Sequence, residues 1–222
     1  MRKRITKHEM KEDKLITTAF KFTEYFQKHL NQFLIGLGAV VVIAVIIGFY
    51  LSSAAGNRKK AAELFGKAQL EYQAGNLETA LADMKTLSEK YSGTKVGGYA
   101  TFLLANGYFY SNNFDLALAT FQKYLDKYKN EDPLFSASAQ AGIAQCQYTL
   151  GNFALAGDNF MKAASMAEEA DFLAPQYLNL AGEAYALANM LDKAKAAYQK
   201  VIDQYKNTKY VNIARRNLAE IS

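Results

Sequence analysis

The most hydrophobic feature of the chain is an uninterrupted apolar run near its N-terminus. Residues 33–51 (FLIGLGAVVVIAVIIGFYL) contain no charged side chain. A helix of that length spans roughly 28 Å at about 1.5 Å per residue, which matches the hydrocarbon core of a bilayer. The pattern predicts a transmembrane helix over residues 33–53, followed by a juxtamembrane linker over residues 54–60.

A cleaved signal peptide is the main alternative for this run. Signal peptides have a short basic start and an apolar stretch of roughly 7–15 residues. Here the run begins only at Phe33 and is longer than that. The small residues from Ser52 to Ala55 would permit cleavage, so the alternative stays open, but we expect a retained anchor.

The residues before the run have the pattern of a basic amphipathic helix. Lysines recur every seven residues, at Lys14, Lys21 and Lys28. Apolar residues recur at steps of three and four, at Leu15, Ala19, Phe22, Phe26, Leu30 and Phe33. The pattern predicts a tail over residues 1–32 that lies on anionic membrane lipid; a docking helix for a cytoplasmic partner is the alternative.

Beyond the anchor, a second pattern repeats four times. The aligned segments are AGNLETALADM, SNNFDLALATF, LGNFALAGDNF and ANMLDKAKAAY. Their shared alanines, Ala80, Ala117, Ala156 and Ala194, are separated by 37, 39 and 38 residues. So regular a period predicts one supersecondary unit stacked four times.

Each repeat contains a predicted turn at a fixed offset from its shared alanine. Five residues before the alanine stands a residue that readily adopts a left-handed backbone: Gly75, Asn112, Gly151 or Asn189. The next residue is Asn76, Asn113 or Asn152 in three repeats, and we expect its side chain to cap the following helix. Each repeat is therefore predicted to be a helical hairpin.

Side-chain size predicts how the hairpins pack. The first helices carry small residues at one aligned position, Ala68, Ala105, Ala144 and Gly182, which face the shared alanines. Bulky residues four positions after those alanines, Met84, Phe121, Phe160 and Tyr198, are suited to the seams. Small residues let antiparallel helices approach closely, and bulky ones fill the space between hairpins.

Both prolines and the last residues agree with this arrangement. Pro133 and Pro175 fall where the first helices of hairpins three and four should begin, a position that tolerates proline. Over residues 210–222 one stripe is apolar (Val211, Ala214, Leu218 and Ile221) and the rest is polar (Asn212, Arg215, Arg216 and Glu220). The predicted fold is all-α: a transmembrane helix, an α-solenoid of four hairpins over residues 61–209, and a capping helix.

The turn, small-residue and aromatic positions resemble the tetratricopeptide repeat family over roughly residues 60–209. The family standard is 34 residues per repeat, so helices or connections must be longer here. First helices line the concave face of such solenoids, where aligned positions form rows. Two rows are candidate peptide-binding residues: Gln69, Asn106, Gln145 and Glu183, and then Tyr72, Phe109 and Tyr148.

Amides can pair with a peptide backbone, and aromatic rings supply buried area, so these rows suit a protein segment. The open alternative is that the aromatics are packing residues. A neighbouring row contains Phe65, Phe102, Ala141 and Asn179 instead of lysine or arginine. Clamping of an acidic C-terminus, as some tetratricopeptide domains do, is therefore not expected.

Charge and chemistry narrow the function further. The net charge is +5, of which residues 1–32 supply +4, so the repeat region lacks the basic excess that nucleic-acid binding needs. The basic tail favours a cytoplasmic N-terminus, although Arg58, Lys59 and Lys60 follow the apolar run. The repeats would then lie outside the cytoplasm.

Residues suited to catalysis are scarce. The histidines, His8 and His29, both precede the apolar run, and Cys146 is the single cysteine. We expect Cys146 to be a packed structural thiol, since no cation neighbours it in sequence. No acid–base constellation, phosphate loop or metal-ligand spacing is present, so neither enzymatic activity nor a cofactor or metal is expected.

A basic tail, one N-terminal span and an extracytoplasmic repeat domain together resemble the bacterial ancillary subunit family of the Sec translocon. The resemblance implies an inner-membrane protein with a cytoplasmic N-terminus and periplasmic repeats. It also implies translocon subunits and periplasmic chaperones as partners. The alternative is a scaffold for cell-envelope assembly or division, resembling the hairpin domains that accompany the Tol–Pal system and binding envelope proteins.

Overall fold

A computed structural model describes residues 28–170 and 172–221, without the side chains of residues 30–39 and 50. The predicted amphipathic helix of the tail therefore lies mostly outside the described residues. The described residues divide into two compact units, one that ends at Gly56 and one that begins at Asn57. Throughout the described ranges the regular secondary structure is helical.

Helix α1 (Leu30–Gln73) contains the apolar run. It continues without interruption through residues 54–60, so the predicted linker segment is helical. The side chains of residues 40–49 are exposed. By length and composition, the part of α1 from Val40 onward is long and apolar enough to cross a membrane.

The second unit contains the predicted hairpins. Hairpin one pairs residues 57–73 of α1 with α2 (Leu77–Lys90). The others are α3 (Lys95–Tyr110) with α4 (Phe114–Tyr128), α5 (Pro133–Thr149) with α6 (Phe153–Met166), and α7 (Ala174–Leu187) with α8 (Leu191–Gln204). Helix α9 (Tyr210–Glu220) follows, and the predicted fold class is confirmed.

All four predicted turn residues have a left-handed backbone. Their φ angles are +83° at Gly75, +58° at Asn112, +79° at Gly151 and +58° at Asn189. In each turn the next amide donates to the carbonyl five residues earlier, as from Asn76 N to Glu71 O at 2.9 Å. This bond satisfies a carbonyl at the helix end and closes the Schellman motif.

The predicted asparagine caps are wrong. None of Asn76, Asn113 and Asn152 makes a side-chain capping bond. Two of them donate backwards instead, from Asn76 Nδ2 to Glu71 Oε2 and from Asn152 Nδ2 to Gln147 Oε1, both at 2.8 Å. The reason is backbone geometry: their ψ angles lie near +60°, whereas a capping residue usually has an extended backbone.

Side-chain caps occur at the connections between hairpins. Thr94 Oγ1 accepts from Gly97 N at 3.0 Å, and Asp132 Oδ1 accepts from Leu134 N at 2.9 Å. Both capping residues have an extended backbone. Pro133 and Pro175 occupy the first turns of α5 and α7, as predicted.

The predicted packing positions are confirmed. The shared alanines are fully buried, and so are their partners Ala68, Ala105 and Ala144. Phe121 fills the seam to the next hairpin so closely that a Cβ atom at Gly142 would overlap its ring. In the capping helix, Val211 and Ala214 are buried while Arg215 and Arg216 are exposed.

The long repeat period has two structural causes. The first helices α3 and α5 have 16 and 17 residues. The connection between α6 and α7 adds residues 167–173. Hairpins two and three are therefore lengthened without any change in their turns.

Candidate peptide-binding groove

The first helices of neighbouring hairpins lie side by side. The ring of Phe65 on α1 stands 5.5 Å from that of Tyr99 on α3, centroid to centroid. Tyr99 stands 5.0 Å from Phe135 on α5 in an edge-to-face arrangement. Edge-to-face aromatic pairs stabilise packing beyond what the burial of their apolar surface contributes. These two contacts join the first helices of hairpins one, two and three side by side.

A cavity of about 350 Å³ opens between hairpins one and two. Three predicted residues line it: Gln69, Tyr72 and Asn106. Tyr72 is half exposed, at 50%. The cavity thus combines a free aromatic ring with amide side chains, which is the chemistry predicted for a peptide site.

None of the described residues that line this cavity has a charged side chain. The floor is formed by Leu81, Met84 and Leu103. The nearby Asp83 pairs with Lys67, with 3.0 Å between Oδ2 and Nζ. An uncharged wall favours an uncharged, partly apolar protein segment over a charged terminus, because a desolvated charge would find no partner there.

The predicted residues of hairpins three and four interact with each other. Tyr148 Oη donates to Glu183 Oε1 at 2.8 Å. Burial is the larger cause, and this hydrogen bond to a carboxylate the second, of a pKa of Tyr148 that is raised to about 12. The pair joins α5 to α7 and holds both polar groups in place.

The other predicted aromatics also pack locally. Phe109 lies edge-to-face with Phe114 at 5.6 Å, and Tyr148 lies likewise with Phe153 at 5.3 Å. Each contact spans the turn of its own hairpin, so these rings pack the first helix against the second helix. Gln145 is half-buried and does not line the cavity. A continuous groove along all seven residues therefore stays a prediction.

Sequence reasoning missed the other aromatics of the cavity, Tyr99 and Tyr110. Tyr99 lies seven residues before Asn106 and Tyr110 lies four after it, so all three share a helix face. From that spacing, the sequence alone indicates that Tyr99 and Tyr110 lie on the same helix face as Asn106. Tyr110 is 75% exposed, the most accessible ring of the set.

Residues of the neighbouring row, which has no lysine or arginine, make structural contacts. Phe102 packs edge-to-face against Phe121, Tyr124 and Phe135. Asn179 is buried and donates from Nδ2 to Tyr210 O at 3.1 Å, which ties α7 to the capping helix. A carboxylate clamp has no place in this row.

Cys146 is fully buried in the core between hairpins two and three, as predicted for a packed thiol. Burial raises its pKa to about 11. A thiol with so high a pKa is mostly protonated at neutral pH and is a poor nucleophile.

The chain belongs to the tetratricopeptide repeat-like domain family, whose profile matches residues 23–221. Members of such repeat families bind other proteins through stacked hairpins and are typically non-catalytic. The family and the fold therefore define a protein-interaction scaffold. No curated protein matches the chain.

Solved structures share the fold at low identity. A Rap protein complexed with competence and sporulation factor is 21% identical, with a TM-score of 0.54 over 74% of this chain. The chain spans 52% of that protein's length. MamA 41-end from Desulfovibrio magneticus RS-1 is 20% identical, with a TM-score of 0.54 over 73% of this chain and 89% of MamA. At these identities the similarity extends to the fold alone.

Proposed function

We propose that this chain is a membrane-anchored scaffold that binds an extended, uncharged protein segment on the face of its first helices. The observation that carries the proposal is the cavity of about 350 Å³ with Tyr72 exposed and no charge in its wall. Glutamine and asparagine amides can bond both donors and acceptors of a peptide backbone. Tyr72 supplies apolar contact at low entropy cost.

The anchor is the apolar part of α1. The transmembrane segment of residues 33–53, a cytoplasmic tail and repeats outside the cytoplasm together form the proposed topology. Its support is the +4 charge of residues 1–32. A reporter fused after Ser222 that is active only in the cytoplasm tests the topology. It should be silent, and an active fusion contradicts the proposed orientation.

The partners proposed are translocon subunits and periplasmic chaperones, in a bacterial inner membrane. A scaffold held at the membrane can bring an export channel and a chaperone together without chemistry of its own. Crosslinking in intact membranes should recover one of these partners with the chain. Clean isolation of the chain without either class overturns this part of the proposal.

An envelope-assembly or division scaffold could use the same fold, since fold alone does not fix function. Deletion of the chain separates the two functions. Impaired secretion with normal division supports the translocon role, whereas division defects with normal secretion contradict it.

The groove has its own test. Tyr72→Ala should weaken recovery of the crosslinked partner, because it removes the exposed ring from the cavity. Leu70→Ala is the matched control, because Leu70 is 68% exposed on the same helix and does not line the cavity. Equal loss with both variants, or with neither, contradicts binding in this cavity.

A further inference from the structure

Two further cavities adjoin each other near the connections that precede α5 and α7. The smaller, of about 220 Å³, has aromatic walls that include Tyr99, Tyr124 and Phe135. The larger, of about 770 Å³, contains Leu134, Met166 and Phe172. Glu131 and Asp132 line both cavities, so these residues stand between the two.

Carboxylates give this region a negative charge. Glu168 and Glu169 join Glu131 and Asp132 in the larger cavity. None of these four forms an ion pair with any residue that the structure describes. Among the described residues that form the walls of the two cavities, Lys95 is the single cation. The excess of carboxylates is therefore available to an external cation.

The smaller cavity places carboxylates next to aromatic rings. Tyr124, Glu131 and Asp132 line this cavity together. Burial raises the pKa of Tyr124, and the charges of Asp132 and Glu131 raise it further. Asp132 is fixed in position because its Oδ1 accepts from Leu134 N and Phe135 N. Aromatic faces and carboxylates attract cations by independent mechanisms, and here both act on one space.

The larger cavity adds an exposed apolar surface. Phe172 is 61% exposed and Leu134 is 44% exposed. An isolated cation would leave both side chains in water. A ligand that matches the whole region needs a positive charge and apolar groups a few residues apart.

We propose that these two cavities form a docking site for a basic amphipathic segment of a partner protein. A lysine or arginine of the segment enters the aromatic cavity beside Glu131 and Asp132, and its apolar side chains cover Leu134 and Phe172. Anionic lipid and nucleic acid are disfavoured, because the carboxylates repel phosphate. The site is distinct from the uncharged cavity around Tyr72, which is the uncharged groove. Tyr99 lines both sites, whereas the four carboxylates line only the docking site.

The test measures binding of a labelled peptide to the full chain in nanodiscs of zwitterionic lipid, by fluorescence anisotropy. The probe is a twelve-residue peptide that alternates lysine and leucine. Peptides that alternate glutamine or glutamate with leucine are the controls, and empty nanodiscs give the background. The lysine peptide should bind more tightly than both controls, although the glutamine peptide also fits the uncharged cavity around Tyr72. Equal binding of the glutamine peptide overturns the proposal, since charge would then contribute nothing.

Substitution locates the site. Glu131→Gln combined with Asp132→Asn should raise the Kd of the lysine peptide about fivefold or more, in line with a partly desolvated cation site. Asparagine is also a good helix cap, so the start of α5 should be preserved, and an unchanged melting temperature verifies this. Glu78→Gln, an exposed carboxylate in the first turn of α2, is the matched control and should leave Kd unchanged.

Three results would contradict the site. An unchanged Kd in the double variant overturns it directly. An increase in Kd with Tyr72→Ala but not with the double variant places the peptide in the uncharged groove. Tighter binding of a peptide of residues 14–33 than of the lysine peptide, abolished by the same double variant, assigns the site to this chain's own tail and overturns the partner.

Discussion

Single small residues decide where the helices of this protein can meet. Gly142 on α5 stands against the ring of Phe121, and Gly157 on α6 stands against that of Tyr185. A Cβ atom at Gly157 would come within 2.6 Å of two ring carbons of Tyr185. These glycines are therefore required by close approach and not by backbone conformation.

Gly142→Ala should lower the free energy of unfolding by about 1–3 kcal/mol, because the added methyl group overlaps the buried ring of Phe121. Gly66→Ala is the matched control, since a Cβ atom there has no neighbour within 4 Å. It should be neutral or stabilise by up to about 1 kcal/mol, from helix propensity. Urea unfolding of both variants, followed by circular dichroism, checks this. Equal effects would contradict the packing account.

A second prediction at this scale concerns Asp158. Tyr185 Oη donates to its Oδ1 at 2.6 Å and Lys193 Nζ donates at 3.1 Å, and these bonds hold its pKa below the ordinary value of 3.8. A carboxylate with a lowered pKa stabilises the fold above its unfolded-state pKa. That stability is lost as the pH falls through the folded-state pKa.

Asp158→Asn should therefore lower the free energy of unfolding at pH 7 by about 0.5–1 kcal/mol, a small value because the group is half exposed. The difference from the unsubstituted chain should shrink as the pH falls below 3.8, where its own Asp158 becomes protonated. Melting temperatures at pH 7 and in acid measure this. A difference that persists in acid would mean that the charge is not the cause.

At the scale of elements, helix starts use two different devices. The turns within hairpins rely on backbone bonds of the Schellman motif, and the starts of α3 and α5 rely on the side chains of Thr94 and Asp132. Asparagine after the turn is thus not a cap, although its residue type is typical of one.

Thr94→Ala should cost about 1 kcal/mol of stability, because Gly97 N loses its acceptor. Asn113→Ala should change stability by less than about 0.5 kcal/mol, since its side chain caps nothing. Chemical unfolding of the two variants makes the comparison. A larger loss from the asparagine variant would restore the capping role that the geometry excludes.

Hairpin order and turn positions could be predicted because they depend on local chemistry. Gly75 and Asn112 differ in type, yet both tolerate a left-handed backbone, so the alignment recovered their shared role. The caps could not be predicted, because residue type does not specify the ψ angle, and this angle decides whether an asparagine side chain reaches the first amides of the next helix. The cavity was only partly predicted, because the lateral fit of α1 and α3 decides that Tyr99 and Tyr110 join Tyr72.

At the scale of the whole repeat unit, each hairpin packs mainly on its neighbours, so stability should be transmitted locally. Helix α9 covers the last hairpin through Val211 and Ala214, both buried. The capping role was readable from the sequence because one stripe of this helix is apolar and the remainder is polar.

Val211→Asp should detach the capping helix α9 from the last hairpin, because it would bury a carboxylate among apolar side chains. Hydrogen exchange should accelerate in α8 and α9 and stay unchanged in α2 and α3. Uniform acceleration through all four hairpins would show that the unit unfolds as one body and not repeat by repeat.

Site-specific photocrosslinking in intact membranes tests the proposal that the face of the first helices binds a protein partner at the membrane. A photoreactive residue at Tyr72 should yield a discrete adduct that contains a translocon subunit or a periplasmic chaperone. The same residue at Glu89, exposed near the end of α2 and outside the cavity, should yield none. An adduct at Glu89 with none at Tyr72 would contradict the account.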